Sequence, residues 1–156
     1  MDPLAEQGDA GAQYNLGLMY RNGQGVPQDY KTAVKWYTLA AEQGIALAQN
    51  VLGEIYFKGQ RGIPQNYSAA FAWHKRAADN GVVDSWAHLG YIYLKGLGAI
   101  QDYVTAHMWF NIAASSGFSP TSVKNREIVE KKMTSAQIAE AQKLARECVR
   151  KKYKGC

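Results

Sequence analysis

The 156-residue sequence predicts an all-α fold, a right-handed α/α superhelical solenoid of helix-turn-helix repeats with a C-terminal capping helix. Three observations predict it. Gly17, Gly53 and Gly90 stand 36 and 37 residues apart, and Tyr20, Tyr56 and Tyr93 keep the same offset. Each period contains two helical stretches split by a Gly-rich loop. The residues after Gly117 leave the register and turn basic. Self-similarity at a period of roughly 20–50 residues marks stacked repeats. One such hairpin cannot bury its own apolar face, whereas stacked neighbours can.

The register extends through many columns. Gly23, Gly59 and Gly96 share one, as do Tyr30, Tyr67 and Tyr103. Ala33, Ala70 and Ala106 share another, and Trp36, Trp73 and Trp109 the next. Ala pairs at 40/41, 77/78 and 113/114 close each unit before Gly44, Gly81 and Gly117. The second unit carries one extra loop residue, Arg61.

Taken in order, the chain opens on Leu4-Ala5-Glu6-Gln7-Gly8, which copies Leu39 and then Ala41-Glu42-Gln43-Gly44. Residues 1–7 therefore read as the end of a preceding helix B, as if the chain were a piece of a longer one. Full repeats are expected at 8–43, 44–80 and 81–116. In the first, a helix A over 10–22 buries Leu16, Gly17 and Tyr20 at helical spacing. Gly23 and Gly25 end it in conformations with positive φ, and Pro27 blocks its continuation. Asp29, Asn66 and Asp102 precede the B helices, where a short polar side chain accepts from free first-turn amides. Helix B over 30–43 presents Ala33, Trp36, Tyr37, Ala40 and Ala41 as its apolar face. Small residues let the helices approach, and the aromatics fill the space beside them.

Residues 117–156 form a partial repeat plus a basic capping helix. Ser119-Pro120 reads as an N-cap with Pro at the first helical position, opening a helix over 120–132. Thr134 and Gln137 fit a capping box for a second helix over 135–151. Its apolar stripe is Ile138, Ala141, Leu144, Ala145 and Cys148.

This pattern resembles the Sel-one-like repeat (SLR) family, α/α solenoids related to the tetratricopeptide repeats. The resemblance rests on Gly8-Asp9-Ala10-Gly11-Ala12-Gln13-Tyr14-Asn15-Leu16-Gly17, on Gly23 through Tyr30, and on Ala33-Val34-Lys35-Trp36-Tyr37 with Ala40-Ala41-Glu42-Gln43-Gly44. The segment from Met133 to Ala141 is similar to a common SLR ending. The third unit departs in its loop, where Ile100 stands in place of Pro27 and Pro64.

The resemblance implies a non-catalytic interaction scaffold, bacterial, with a periplasmic or secreted setting favoured and the cytoplasm left open. Groove positions carried over from the tetratricopeptide repeats are Gly11, Tyr14, Leu18 and Arg21, then Leu47, Asn50, Glu54 and Phe57, then Asp84, Ala87, Tyr91 and Leu94. These vary between units while the packing columns do not. The expected ligand-binding residues are Tyr14, Leu18, Arg21, Asn50, Glu54, Phe57, Asp84, Tyr91 and Leu94, and the expected partner is a peptide or protein segment held in the concave groove that the A helices line.

Charge supplies the alternative. Residues 1–120 carry 8 Lys/Arg against 9 Asp/Glu, and residues 121–156 carry 10 against 4. The excess of +6 in the C-terminal segment offers Lys143, Arg146, Arg150, Lys151, Lys152 and Lys154 to nucleic acid or an anionic surface. A solvated helix face is the simpler reading of such a run, and nucleic acid is disfavoured.

Chemistry is not evident. His74 shares the column of Tyr37 and Phe110, His107 that of Val34 and Phe71, and His88 that of Asn15 and Val51, which reads as packing or surface variation. Nothing pairs Glu54 and Asp84 as acid and base. The Gly23 loop recurs as a structural turn with no following Lys-Ser/Thr. The Trp column reads as core, not as a base-stacking ladder. Cys148 and Cys156 have no zinc pattern and are either bonded to each other or free. No catalytic residue, metal or cofactor is expected, and no run is apolar enough to span a membrane.

Overall fold

A computed structural model describes residues 2–117 and 119–156, and Met1, part of the expected opening segment, lies outside them. Among the described residues all regular structure is helical: α1 (Pro3–Glu6), α2 (Ala10–Asn22), α3 (Tyr30–Glu42), α4 (Ala46–Lys58), α5 (Tyr67–Asp79), α6 (Val83–Lys95), α7 (Tyr103–Ser115), α8 (Pro120–Glu130) and α9 (Ser135–Arg150). The chain forms two compact units, residues 1–73 and 74–156, whose boundary falls inside α5.

In the first unit successive helices pack as antiparallel neighbours, α1 on α2, α2 on α3 and α3 on α4. The core gathers Ala33, Tyr37, Ala40 and Ala41 of α3 with Ala48, Val51, Leu52 and Ile55 of α4. Gly17 shows why a column must stay small, since a Cβ there would lie 2.7 Å from the Tyr37 ring. Gly90 repeats the arrangement in the second unit, with a Cβ 2.6 Å from Phe110. In that unit α7 is the hub and packs against α6, α8 and α9.

Hydrogen bonds recur with the sequence period. Asp29, Asn66 and Asp102 donate their backbone N–H groups to Tyr20, Tyr56 and Tyr93 at 2.9, 2.8 and 3.0 Å, closing each helix A to helix B loop. Gln28, Gln65 and Gln101 donate from their side chains to the carbonyls of Arg21, Phe57 and Leu94. These side chains satisfy carbonyls at the open end of each helix A, which would otherwise lack a partner. Gln13 and Gln49 donate to Ala5 and Ala41 at 3.2 and 3.0 Å, and in the same column Trp86 Nε1 donates to Ala78 at 3.1 Å.

The loops accommodate their exceptions. Arg61 is absorbed by a tight turn in which Gln60 and Ile63 exchange backbone hydrogen bonds of 2.9 and 2.7 Å, with Gly62 at φ 79°. Ile100 is 90% exposed, yet its loop keeps the bond from Asp102 to Tyr93. Pro120 does open α8, but Ser119 makes no side-chain cap. Its hydroxyl instead meets Ser122 Oγ at 2.6 Å. The capping box of α9 forms with both bonds, Thr134 to Gln137 and back.

Candidate binding surface

Helix periodicity fixes how the candidate residues are presented. Tyr14, Leu18 and Arg21 of α2 stand at i, i+4 and i+7, and Asn50, Glu54 and Phe57 repeat that spacing on α4. Tyr14 and Leu18 are half-buried and pack against the α3–α4 core. The Tyr14 ring is tilted at 49° to Tyr37 with centroids 5.8 Å apart. Burial pushes the Tyr37 hydroxyl up to about 12, partly offset by the Arg21 guanidinium beside it. Arg21 acts on that hydroxyl both as a nearby charge and as a donor within reach, although no hydrogen bond of full geometry forms.

On α4, Asn50 is only 7% exposed and donates to Glu54 Oε1 at 3.2 Å. Its amide is thus engaged within the helix and is not held out toward solvent. Phe57 is half-buried, with its ring edge-on to Tyr67 at 5.4 Å.

In the second unit, α6 carries Asp84 exposed and Tyr91 38% exposed. Leu94 requires a correction. It is 6% exposed and lies in a core cluster with Ala106, Phe110 and Val129, so its side chain belongs to the framework. Its place on the exposed stripe goes to Lys95, whose ammonium sits 6.0 Å from the Tyr91 ring centroid, with His88 completing a run at 84, 88, 91 and 95. In the sequence His88 reads as packing or surface variation, and Lys95 is not singled out. The i+4 and i+11 spacing from Asp84 could have found them, but the transferred tetratricopeptide offsets pointed one residue away.

The histidines have structural surroundings. His88 donates from Nδ1 to the Asp84 carbonyl at 2.8 Å and stacks on His74, with centroids 4.4 Å apart and planes 10° apart. His74 is fully buried and shares a 3.2 Å hydrogen bond with Ser85 Oγ. Burial, reinforced by His88, lowers its pKa to about 3, which keeps it neutral. His107 Nε2 donates to Glu130 at 2.7 Å, tying α7 to α8. Among the described residues, no group of His, Cys, Asp and Glu is placed to hold a metal, and no helix is long and apolar enough to cross a membrane.

The tryptophans lie against framework. Trp109 is fully buried, Trp36 packs on Ala5, Ala12 and Leu16, and Trp73 packs on the α3–α4 core. Cys148 and Cys156 are joined in a disulfide, which resolves the choice that spacing alone left open.

Comparison with known proteins places this architecture. A family model described as Sel1 repeat matches residues 10–45, 46–82 and 87–118. A Sel1 repeat protein from Oxalobacter formigenes superimposes with a TM-score of 0.71 at 36% identity, covering 80% of this chain and 92% of that one. A protective antigen of uropathogenic Escherichia coli with an SLR fold gives 0.59 at 32% identity, covering 96% of this chain and 39% of its own. A sel1-like repeat-containing protein, L21, of Acanthamoeba polyphaga mimivirus is 43% identical over 53 residues, 34% of this chain. HRD3A of Arabidopsis thaliana, an ERAD-associated E3 ubiquitin-protein ligase component, is 38% identical over 56 residues, 35% of this chain. The matched stretches span only 10% and 8% of those two proteins' lengths. With three repeats matched across more than half of its length, inside an all-helical solenoid, the chain belongs to the Sel1 repeat family.

Proposed function

We propose that this chain is a non-catalytic scaffold that binds a peptide or protein segment through the outward faces of its A helices. Its binding units are the repeats 8–43, 44–80 and 81–116, flanked by 1–7 and 117–156. The observation that carries this reading is a contrast between columns. The Ala column at 33, 70 and 106 is 0% exposed throughout, whereas the helix-A stripe changes residue type from unit to unit and ends in the exposed Tyr91. Aromatic and Arg side chains that are part apolar and part polar are favoured anchors in protein recognition.

Sel1 repeats commonly serve protein–protein interaction, and the ligase component named above is itself a subunit of an assembly. The buried Asn50 and Leu94 drop out as direct contacts. The supported set is Tyr14, Leu18, Arg21, Glu54 and Phe57 in the first unit, and Asp84 and Tyr91 in the second. The Cys148–Cys156 disulfide supports an oxidising compartment, where such bonds persist.

The test is selection of peptides from a random library against the whole chain, followed by NMR shift mapping. Perturbations should centre on Tyr14, Arg21, Glu54, Phe57 and Tyr91. Tyr91→Ala, at an exposed position, should weaken a peptide that shifts α6 by roughly 1 kcal/mol or more while leaving the fold intact. Perturbations confined to the B helices would sink the assignment.

A further inference from the structure

We propose that the cleft between α7 and α9 is a second docking site, which takes an acidic peptide with an apolar anchor. It does not rest on the helix-A reading, because it uses other helices and other side chains.

The cleft encloses about 560 Å³. Ile112 of α7 and Ala145 of α9 form its floor, each 4% exposed, and Val149 stands 49% exposed in its wall. The space exists because α9 presents Ala145 at this point and α7 presents the small Ser115. An apolar side chain seated there would cover Val149 and remove that surface from water.

The polar rim consists mainly of donors. Arg146 and Arg150 line one side, and the Arg150 side chain is 76% exposed. Asn111 Oδ1 already accepts from Arg126 Nη1 at 2.9 Å, which leaves the Asn111 amide nitrogen to donate. Ser115 donates its hydroxyl to the Asn111 carbonyl at 2.8 Å. The acid beside the rim is Glu147, 4.0 Å from Arg150, an exposed pairing too weak to occupy that guanidinium. A carboxylate matches this rim, since a guanidinium fork grips it through two parallel bonds.

The surplus of +6 over residues 121–156 would steer an acidic partner toward the cleft. Nucleic acid fits less well, because stacked bases need aromatic platforms and none of the cleft's lining residues is aromatic. A bilayer surface fits less well too, because interfacial helices insert bulky apolar side chains and this apolar floor is recessed.

Fluorescence anisotropy of the full, oxidised chain with a labelled peptide bearing two leucines flanked by glutamates tests the proposal. The double variant Arg146→Ala/Arg150→Ala should weaken binding by about tenfold or more, as loss of charge-assisted bonds does. Lys143→Ala/Lys151→Ala removes the same charge outside the cleft and should change binding by less than about threefold. Val149→Ser, and serine in place of the peptide leucines, should each weaken binding severalfold. Circular dichroism checks that these exposed substitutions leave the helices formed.

Equal losses from the arginine and lysine pairs would overturn the proposal in favour of diffuse charge attraction. Tighter binding of an oligothymidylate or of phosphatidylglycerol vesicles than of the peptide would assign the surface to those partners instead. Absence of peptide binding would overturn it outright.

Discussion

His74 shows how one residue can break a column and still be accommodated. It occupies the column of Tyr37 and Phe110, which in the other units pack toward Gly17 and Gly90. Its partner Ser85 likewise replaces the alanine found at 12 and 48. The two departures answer each other through their 3.2 Å hydrogen bond. Because the folded pKa lies near 3 against 6.5 for the free side chain, the unfolded chain takes up the proton first on acidification. The stability held by neutral His74 is therefore complete above about pH 7 and is lost as pH falls from 6.5 toward 3. The slope is about 1.4 kcal/mol per pH unit, or roughly 2 kcal/mol at pH 5. Urea unfolding at pH 7.5 and pH 5 measures it. His74→Phe/Ser85→Ala restores the residue types of the other columns and should abolish most of that difference. An unchanged acid slope in the double variant would rule out His74 as its source.

At the scale of single elements, short-range rules were enough to place the helices. Asp102 precedes α7 as expected, accepting from the Val104 and Thr105 amides at 2.9 and 3.1 Å and from Thr105 Oγ1 at 2.7 Å. Asp29 does the same before α3, and its bonds to Thr32 hold its carboxyl below the usual carboxylate range. Asp102→Ala should cost about 1 kcal/mol of global stability, with Asp102→Ser recovering most of it. Thermal melts of the two variants make that comparison. Other element-level features were not legible. Gln13, Gln49 and Trp86 look unrelated as residue types, yet each delivers one N–H to the end of the preceding helix B. Ser119 looks like a cap but bonds Ser122 instead. Side-chain type indicates what a group can donate or accept, and geometry selects the partner.

At the scale of the whole chain, residues far apart in sequence meet through the C-terminal segment. The disulfide from Cys148 to Cys156 turns the chain back, with Lys152 and Tyr153 at positive φ. Tyr153 then packs on Trp86 with ring centroids 4.4 Å apart. Lys154 Nζ donates to Asn80, and the Gly155 N–H donates to Asp79 at 3.2 Å. Closing a loop of this size removes unfolded-state entropy worth about 2–3 kcal/mol. Reduction under native conditions should lower the unfolding midpoint accordingly and raise solvent quenching of Trp86 fluorescence. A melt unchanged by reductant would show that the bond adds nothing to stability.

The sequence by itself determined the repeat, its helices and loops, and which columns are small and which are large. Those features depend on neighbours within one period, and periodicity states them three times over. Tertiary structure alone decided what each exposed face meets. Leu94 shares a register position with Arg21 and Phe57, and that position promised a surface contact. Val129 of α8, the helix of the partial repeat after the third unit, packs against it and makes it core. The disulfide pairing, the seat of Tyr153 on Trp86 and the α7–α9 cleft have the same origin. Burial depends on atoms brought close in space, and no column of the three full units records what the divergent C-terminal segment will cover.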